Sequence, residues 1–323
     1  MRPRRPLAVL AALLLAAAAR AAPLPVVVDL DIGDDIDDGF ALALVLASPA
    51  LEVRGITTAW GDTALRARMV RRLLQESGRE GIPVHAGLRT ASQIAFSQAR
   101  WAAGPRLPGA AEAPPPGPAQ PDAVEFLLRQ ARRQPGQVTL LALGPLTNVA
   151  AALRRDPQGF RQFKQVVLMG GSVRAGYSKS DYRPARPPDR EYNIVADTPA
   201  AQALFASGVP LVMMPLDATA LRLDDQRRAA LFSHGSTLTD ALALMYLQWT
   251  HADQPWASAT PTLFDVVPVA WLLDPALCPT TPLRIEVDAE GYTREAAGAP
   301  NAAVCLAADK PRVLERLMQA LLR

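Results

Sequence analysis

Cysteine, histidine and lysine are all scarce in this 323-residue chain, with two, three and three of each. Two cysteines, Cys278 and Cys305, are too few for a scaffold framed by disulfides. Whether they pair is open, since an exported chain permits a bridge and two buried thiols would serve as well. Three imidazoles (His85, His234, His251) leave little material for a nitrogen-based metal site. After the N-terminal segment no stretch approaches 18 uninterrupted apolar residues, so no later segment reads as a membrane-spanning helix.

The N-terminal segment itself is distinctive. Arg2, Arg4 and Arg5 precede an apolar run from Leu7 to Ala19, and Ala19-Arg20-Ala21 has the small-x-small form of a cleavage site. Residues 1–21 therefore read as a secretory signal peptide, and the mature chain as a soluble protein, periplasmic or secreted. Removing them takes four of the 34 Lys and Arg and none of the 31 acids, leaving a net charge of −1. The basic pI thus belongs largely to the leader, and nothing favours nucleic acid or a membrane surface as partner. Residues 22–323, half hydrophobic, are expected to bury one large core in a single domain; the oligomeric state is open, a homo-oligomer included.

Short β-rich runs (Pro25 to Leu30, Glu52 to Thr57, Pro83 to Ala86, Gln137 to Leu143, Gln165 to Met169, Pro210 to Leu216) alternate with helical periodicity such as Asp62 to Leu74 and Ala123 to Arg133. This predicts a Rossmann-like α/β fold, a mostly parallel β-sheet with helices on both faces, in which ligands bind beyond the strands' carboxyl ends. Residues 104–121 and 176–190 read as irregular surface loops.

Six of the ten residues from 29 to 38 are aspartate (Asp29, Asp31, Asp34, Asp35, Asp37, Asp38), directly after the run Val26-Val27-Val28. Two carboxylates about 4 Å apart repel by roughly 4 kcal/mol at an effective dielectric near 20, so several converge only if protons or a cation neutralise them. Helix-opening acids explain one or two of the six. Further polar motifs follow at strand ends: GPLTN at residues 144–148, LMGG at 168–171, Glu191-Tyr192-Asn193, and Asp265 opening an apolar helix. A lone carboxylate such as Asp265 is most often an N-cap.

Together and in this order, the motifs resemble the inosine-uridine preferring nucleoside hydrolase family over roughly residues 25 to 320. The resemblance implies one Ca²⁺, held by Asp31, Asp38, the Leu143 carbonyl and Asp265, an all-oxygen set suited to a hard cation. It also implies hydrolysis of the N-glycosidic bond of a small-molecule nucleoside, with Asp31 as general base. Asp37, or Asp35 in its place, would contact ribose together with Glu191, Asn193 and Met169, with Asn193 and its neighbours stabilising the cationic ring. Asp29 would brace the cluster, and Asp34 reads as a solvated turn residue.

The chain departs from the pattern in three places. Ile32 stands where the family motif has proline, with two extra residues between Gly33 and Asp37, and Asp62 stands where asparagine is usual. Phe264 occupies the place of a histidine that protonates the departing base, and an arene cannot donate that proton. His251, among Trp249, Asp253 and Trp256, is the replacement donor considered, with water, Tyr182 or Tyr192 as alternatives. Two rival readings are an exported nucleoside-binding protein with little turnover, and a haloacid dehalogenase-like phosphatase with Asp29 as nucleophile. The phosphatase reading finds no lysine at a strand end and leaves GPLTN and Glu-x-Asn unexplained.

Overall fold

The computed structural model describes residues 22–92, 94, 96–104, 122–177, 186–252 and 259–323. The leader-like segment, most of both irregular stretches, Tyr182, Asp253 and Trp256 lie outside these residues.

Ten strands are present among the described residues: β1 (Leu24–Leu30), β2 (Leu51–Thr58), β3 (Val84–Ala86), β4 (Thr139–Ala142), β5 (Gln165–Met169), β6 (Leu211–Met214), β7 (Thr280–Leu283), β8 (Ile285–Val287), β9 (Thr293–Glu295) and β10 (Ala302–Cys305). Eight form one sheet in the order β3-β2-β1-β4-β5-β6-β10-β7, parallel throughout except for the edge pair β10 and β7. The remaining two, β8 and β9, make a separate antiparallel pair. The expected α/β architecture is borne out, and the six strands read from the sequence are β1 to β6.

The central strands are apolar on both sides because helices cover both faces, as a parallel sheet requires. Side chains alternate between two cores with the strand period of two. Val26, Val28, Leu141, Val167, Met169, Val212 and Met214 pack on one side. Val27, Leu140, Ala142, Val166, Leu168, Leu211 and Met213 pack on the other. Two helices forecast from periodicity form at Thr63–Glu76, where Asp62 caps by accepting from the Leu65 amide, and at Ala123–Arg133. No helix among the described residues is long and apolar enough to cross a membrane.

Cys278 and Cys305 are joined by a disulfide, with Cα atoms 5.7 Å apart. That separation lies in the ordinary range for a bridge. The bond ties the approach to β7 to the last residue of β10, at the sheet's one antiparallel edge.

Candidate metal and substrate site

The carboxyl end of β1 opens into residues 31–36 and then the helix Asp37–Ala47. The last ladder bond on one side runs from the Ala59 amide to the Leu30 carbonyl (2.8 Å), and on the other from the Leu143 amide to the Asp29 carbonyl (2.7 Å). Beyond them the chain leaves the sheet, and its carbonyls need other donors. Arg66 donates to those of Asp31 and Ile32. Ser97 donates to those of Gly33 and Asp34, and Gln98 to that of Asp35. Gly33 takes φ +123°, and the Phe96 ring fills the space a side chain there would need.

Three buried carboxylates converge here. Oxygens of Asp37 and Asp38, in the first turn of the helix, and of Asp265 all lie within 4.8 Å of one another. Asp265 occupies the N-cap position of the helix Val266–Leu273 yet makes no capping hydrogen bond. Its Oδ1, like Oδ1 of Asp38, is buried without a hydrogen-bond partner among the described residues. Burial pushes all three acids well above the usual carboxylate range, and neighbouring acids add to the shift: Asp35 and Asp31 on Asp37, Asp31 and Asp37 on Asp38, and Asp37 and Asp38 on Asp265. The expected cap role therefore does not account for Asp265. Acceptor-only oxygens, orphaned and mutually repelling, fit a hard divalent cation, which would neutralise them.

Asp31 stands beside this group and adds to the negative field on each of its members. Its own carboxyl is raised to about 7 by burial, opposed by the charge of Arg66 and reinforced by Asp34 and Glu191. A Cβ on Gly144 would stand 2.7 Å from Asp31 Oδ1, so glycine is what lets the GPLTN turn approach this carboxylate. Asp34 is not the solvated turn residue that its place in the sequence suggests. It is 6% exposed and pairs through Oδ2 with Arg66 Nη2 at 2.7 Å. Asp34, in the insertion between Gly33 and Asp37, is thus the counter-ion of Arg66 in the helix Thr63–Glu76. Asp35 is half-buried, accepts from the Ile36 amide (2.7 Å) and has its carboxyl raised to about 6 by burial.

Asp29 differs from its neighbours. Its Oδ1 accepts from Thr57 Oγ1 (2.5 Å) and from Asn148 Nδ2 (2.8 Å). Asn148 also donates to the Thr58 carbonyl and accepts from the Leu88 amide, which ties the ends of β1, β2 and β3 to the turn that follows β4. Burial nonetheless raises the Asp29 carboxyl to about 6.

On the far side of Gly144, Asn193 Nδ2 donates to the carbonyls of Leu143 (3.1 Å) and Met169 (3.2 Å) and lies 3.5 Å from Met169 Sδ. Glu191 accepts from the amides of Gly171, Asn193 and Ile194. Burial raises its carboxyl to about 7 against those bonds. Leu143, Met169, Glu191 and Asn193 therefore form one connected group at the ends of β4 and β5.

Phe264 meets the ring of Tyr177 edge-on, with centroids 6.0 Å apart, and the Tyr177 hydroxyl accepts from the Tyr192 amide. The Tyr192 phenol is raised by burial and then by Asp31 and Asp34. His251 is exposed at the C-terminal end of the helix Thr237–Thr250, and its Nδ1 contacts are local: the Leu247 carbonyl at 2.7 Å and Thr250 Oγ1 at 3.3 Å. Its role there is local capping, because an imidazole at a helix end finds the free carbonyls of the last turn. Sequence reasoning missed Arg66, Asn148 and Tyr177. Of these only Asn148 carried a signal, its place in the GPLTN turn.

Residues 26–315 match the sequence profile of the inosine-uridine preferring nucleoside hydrolases. The pyrimidine-specific ribonucleoside hydrolase RihA of Citrobacter koseri is 35% identical over 286 residues, covering 84% of this chain and 86% of that protein. Its namesake from Salmonella schwarzengrund is 32% identical over 322 residues, covering 92% and 98%. Among solved structures, the plant nucleoside hydrolase PpNRh1 superposes with a TM-score of 0.79 at 26% identity, over 93% of this chain and 99% of that one. An inosine-uridine preferring nucleoside hydrolase from Bacillus anthracis, at 20% identity and a TM-score of 0.73 over 93% and 99%, shares the fold.

Proposed function

The chain belongs to the inosine-uridine preferring nucleoside hydrolase family and is a nucleoside hydrolase; from that premise we propose a calcium-dependent, exported enzyme that favours pyrimidine ribonucleosides. The observation that carries the metal reading is the convergence of Asp37, Asp38 and Asp265 with orphaned buried oxygens. Asp31, Asp38, Asp265 and the Leu143 carbonyl would hold Ca²⁺, with Asp37 close enough to share in it. Bound there, the ion supplies positive charge and Lewis acidity toward oxygen.

The chain's own residues divide the remaining work. Asp31 takes the proton of a water attacking the anomeric carbon as general base. The C–N bond breaks as the new C–O bond forms, and its electron pair leaves with the base. Asn193, whose amide nitrogen is engaged by Leu143 and Met169, turns its oxygen to a sugar hydroxyl. Glu191, Met169 and Asp37 or Asp35 complete the ribose contacts. Phe264 has no transferable proton, so the departing base takes its proton from water or from a tyrosine, Tyr182 or Tyr192.

The names of the two RihA relatives support the pyrimidine preference. The leader-like residues 1–21 support export, as does the disulfide, a bond that persists in oxidising compartments. The test is release of free base and reducing sugar from uridine, cytidine, inosine and adenosine, with calcium or with chelator. Equal rates with and without calcium would remove the calcium reading, and purine release matching pyrimidine release would remove the preference. N-terminal sequencing of protein recovered outside the cytoplasm should begin at or near Ala22.

A further inference from the structure

Arg66 is 1% exposed, and its guanidinium is spent on one short stretch of the site. Nη1 donates to the carbonyls of Asp31 and Ile32, Nη2 pairs with Asp34 Oδ2 at 2.7 Å, and Nε donates to the Trp60 carbonyl at 2.8 Å. These acceptors lie just past the ends of β1 and β2, where no strand remains to pair with them. Trp60 has φ +63°, the one non-glycine positive φ among the described residues. A bulky residue in that conformation costs on the order of 1–2 kcal/mol and stays there only when held.

We infer that Arg66 is a positioning residue for hydrolysis, acting through Asp31: it extends the β1–β2 ladder past the sheet and so fixes the backbone from which the Asp31 carboxylate is aimed. The inference rests on the reading of Asp31 as base and metal ligand. A lysine keeps the charge but has only three donors on one nitrogen and cannot reach the four acceptors that the guanidinium fork serves. Geometry and charge are thereby separable.

The experiment compares Arg66→Lys, Asp34→Ala and Asp31→Asn in the full-length mature protein, by steady-state kinetics at saturating calcium and by calorimetric titration with Ca²⁺ alone. Arg66→Lys should lower kcat about a hundredfold, the scale expected for an ångström of misplacement, with KM within about threefold. It should also weaken calcium binding about tenfold, as loss of a group that orients a ligand does. Asp34→Ala, which frees one edge of the guanidinium, should lower kcat about tenfold and keeps the question answerable if Arg66→Lys does not fold. A merely structural arginine predicts a lower melting temperature with kcat, KM and calcium affinity per folded molecule unchanged; that result in either variant overturns the inference. Asp31→Asn separates the two readings. If it stays active the Asp31 assignment fails, whereas if it is inactive while Arg66→Lys is fully active, only the role of Arg66 fails.

Discussion

Asp29 and Asp265 are both buried carboxylates in the same pole of the sheet, and they behave as opposites. Asp29 is enclosed by Thr57 and Asn148, each of which serves further partners in the strand ends. Asp265 sits at a helix start without capping it and, with Asp37 and Asp38, faces other acids with an orphaned oxygen. A satisfied buried acid holds a fold together, while an unsatisfied one is a standing cost that persists where something else compensates it. The contrast sorts the aspartate cluster better than position in the sequence does.

The largest expected effect breaks the unsatisfied side. Asp265→Asn should reduce kcat about a thousandfold, equivalent to about 4 kcal/mol of transition-state stabilisation. In chelator the same variant should melt above the wild type, because one of three repelling charges is gone. Loss of activity with a fall in metal-free stability would place Asp265 with Asp29 as a structural acid. Asp29→Ala should do the reverse. It leaves the Thr57 hydroxyl and the Asn148 amide short of an acceptor and should cost about 2–3 kcal/mol in denaturant melts. Calcium affinity should stay within about threefold of wild type, since the residue braces the cluster without joining it.

A smaller effect is read from pH. The carboxyls of Asp29, Asp31, Asp35 and Glu191 lie at about 6 to 7 in the folded protein, above their ordinary values near 4, with burial as the main cause. The folded state then binds more protons than the unfolded one, so stability is fully present below about pH 4 and is lost as pH rises through 6 and 7. Thermal melts in chelator should fall between pH 5 and 7.5, and calcium should flatten that slope. A slope unchanged by calcium would separate the raised acids from the metal. The smallest effect concerns His251→Ala, expected to leave kcat within about twofold because the imidazole is an exposed cap on its own helix; a larger loss would restore it as a donor to the base.

Much of the fold was legible because the central strands are apolar on both faces and the helices between them carry clear periodicity. The strands β7 to β10 were not foreseen. Runs such as Thr280–Leu283 and Thr293–Glu295 are three or four residues long, contain proline or charge, and leave no alternation to read. In the site, the aspartates, Glu191, Asn193 and Asp265 stood out as polar residues at strand ends and helix starts, whereas the apolar Leu143 and Met169 entered only through the family resemblance. Arg66 could not, being one of four arginines in the helix Thr63–Glu76 and distinguished only by its burial. Asp34 was misread for the complementary reason: a turn aspartate is ordinarily solvated, and the residue that buries it lies 32 positions away.

The bridge between Cys278 and Cys305 carries a consequence for how a preparation of this protein can be interrogated. Both residues are fully buried, so small reductants and alkylating reagents reach the sulfur atoms only when the chain opens. A molecule that matured in oxidising surroundings should keep the bond after transfer to a reducing buffer, and one that matured reduced should hide two thiols from reagents until denatured. Mass spectrometry after alkylation in denaturant, without reductant, should therefore report the redox history of the sample: no added label for the first history, two for the second.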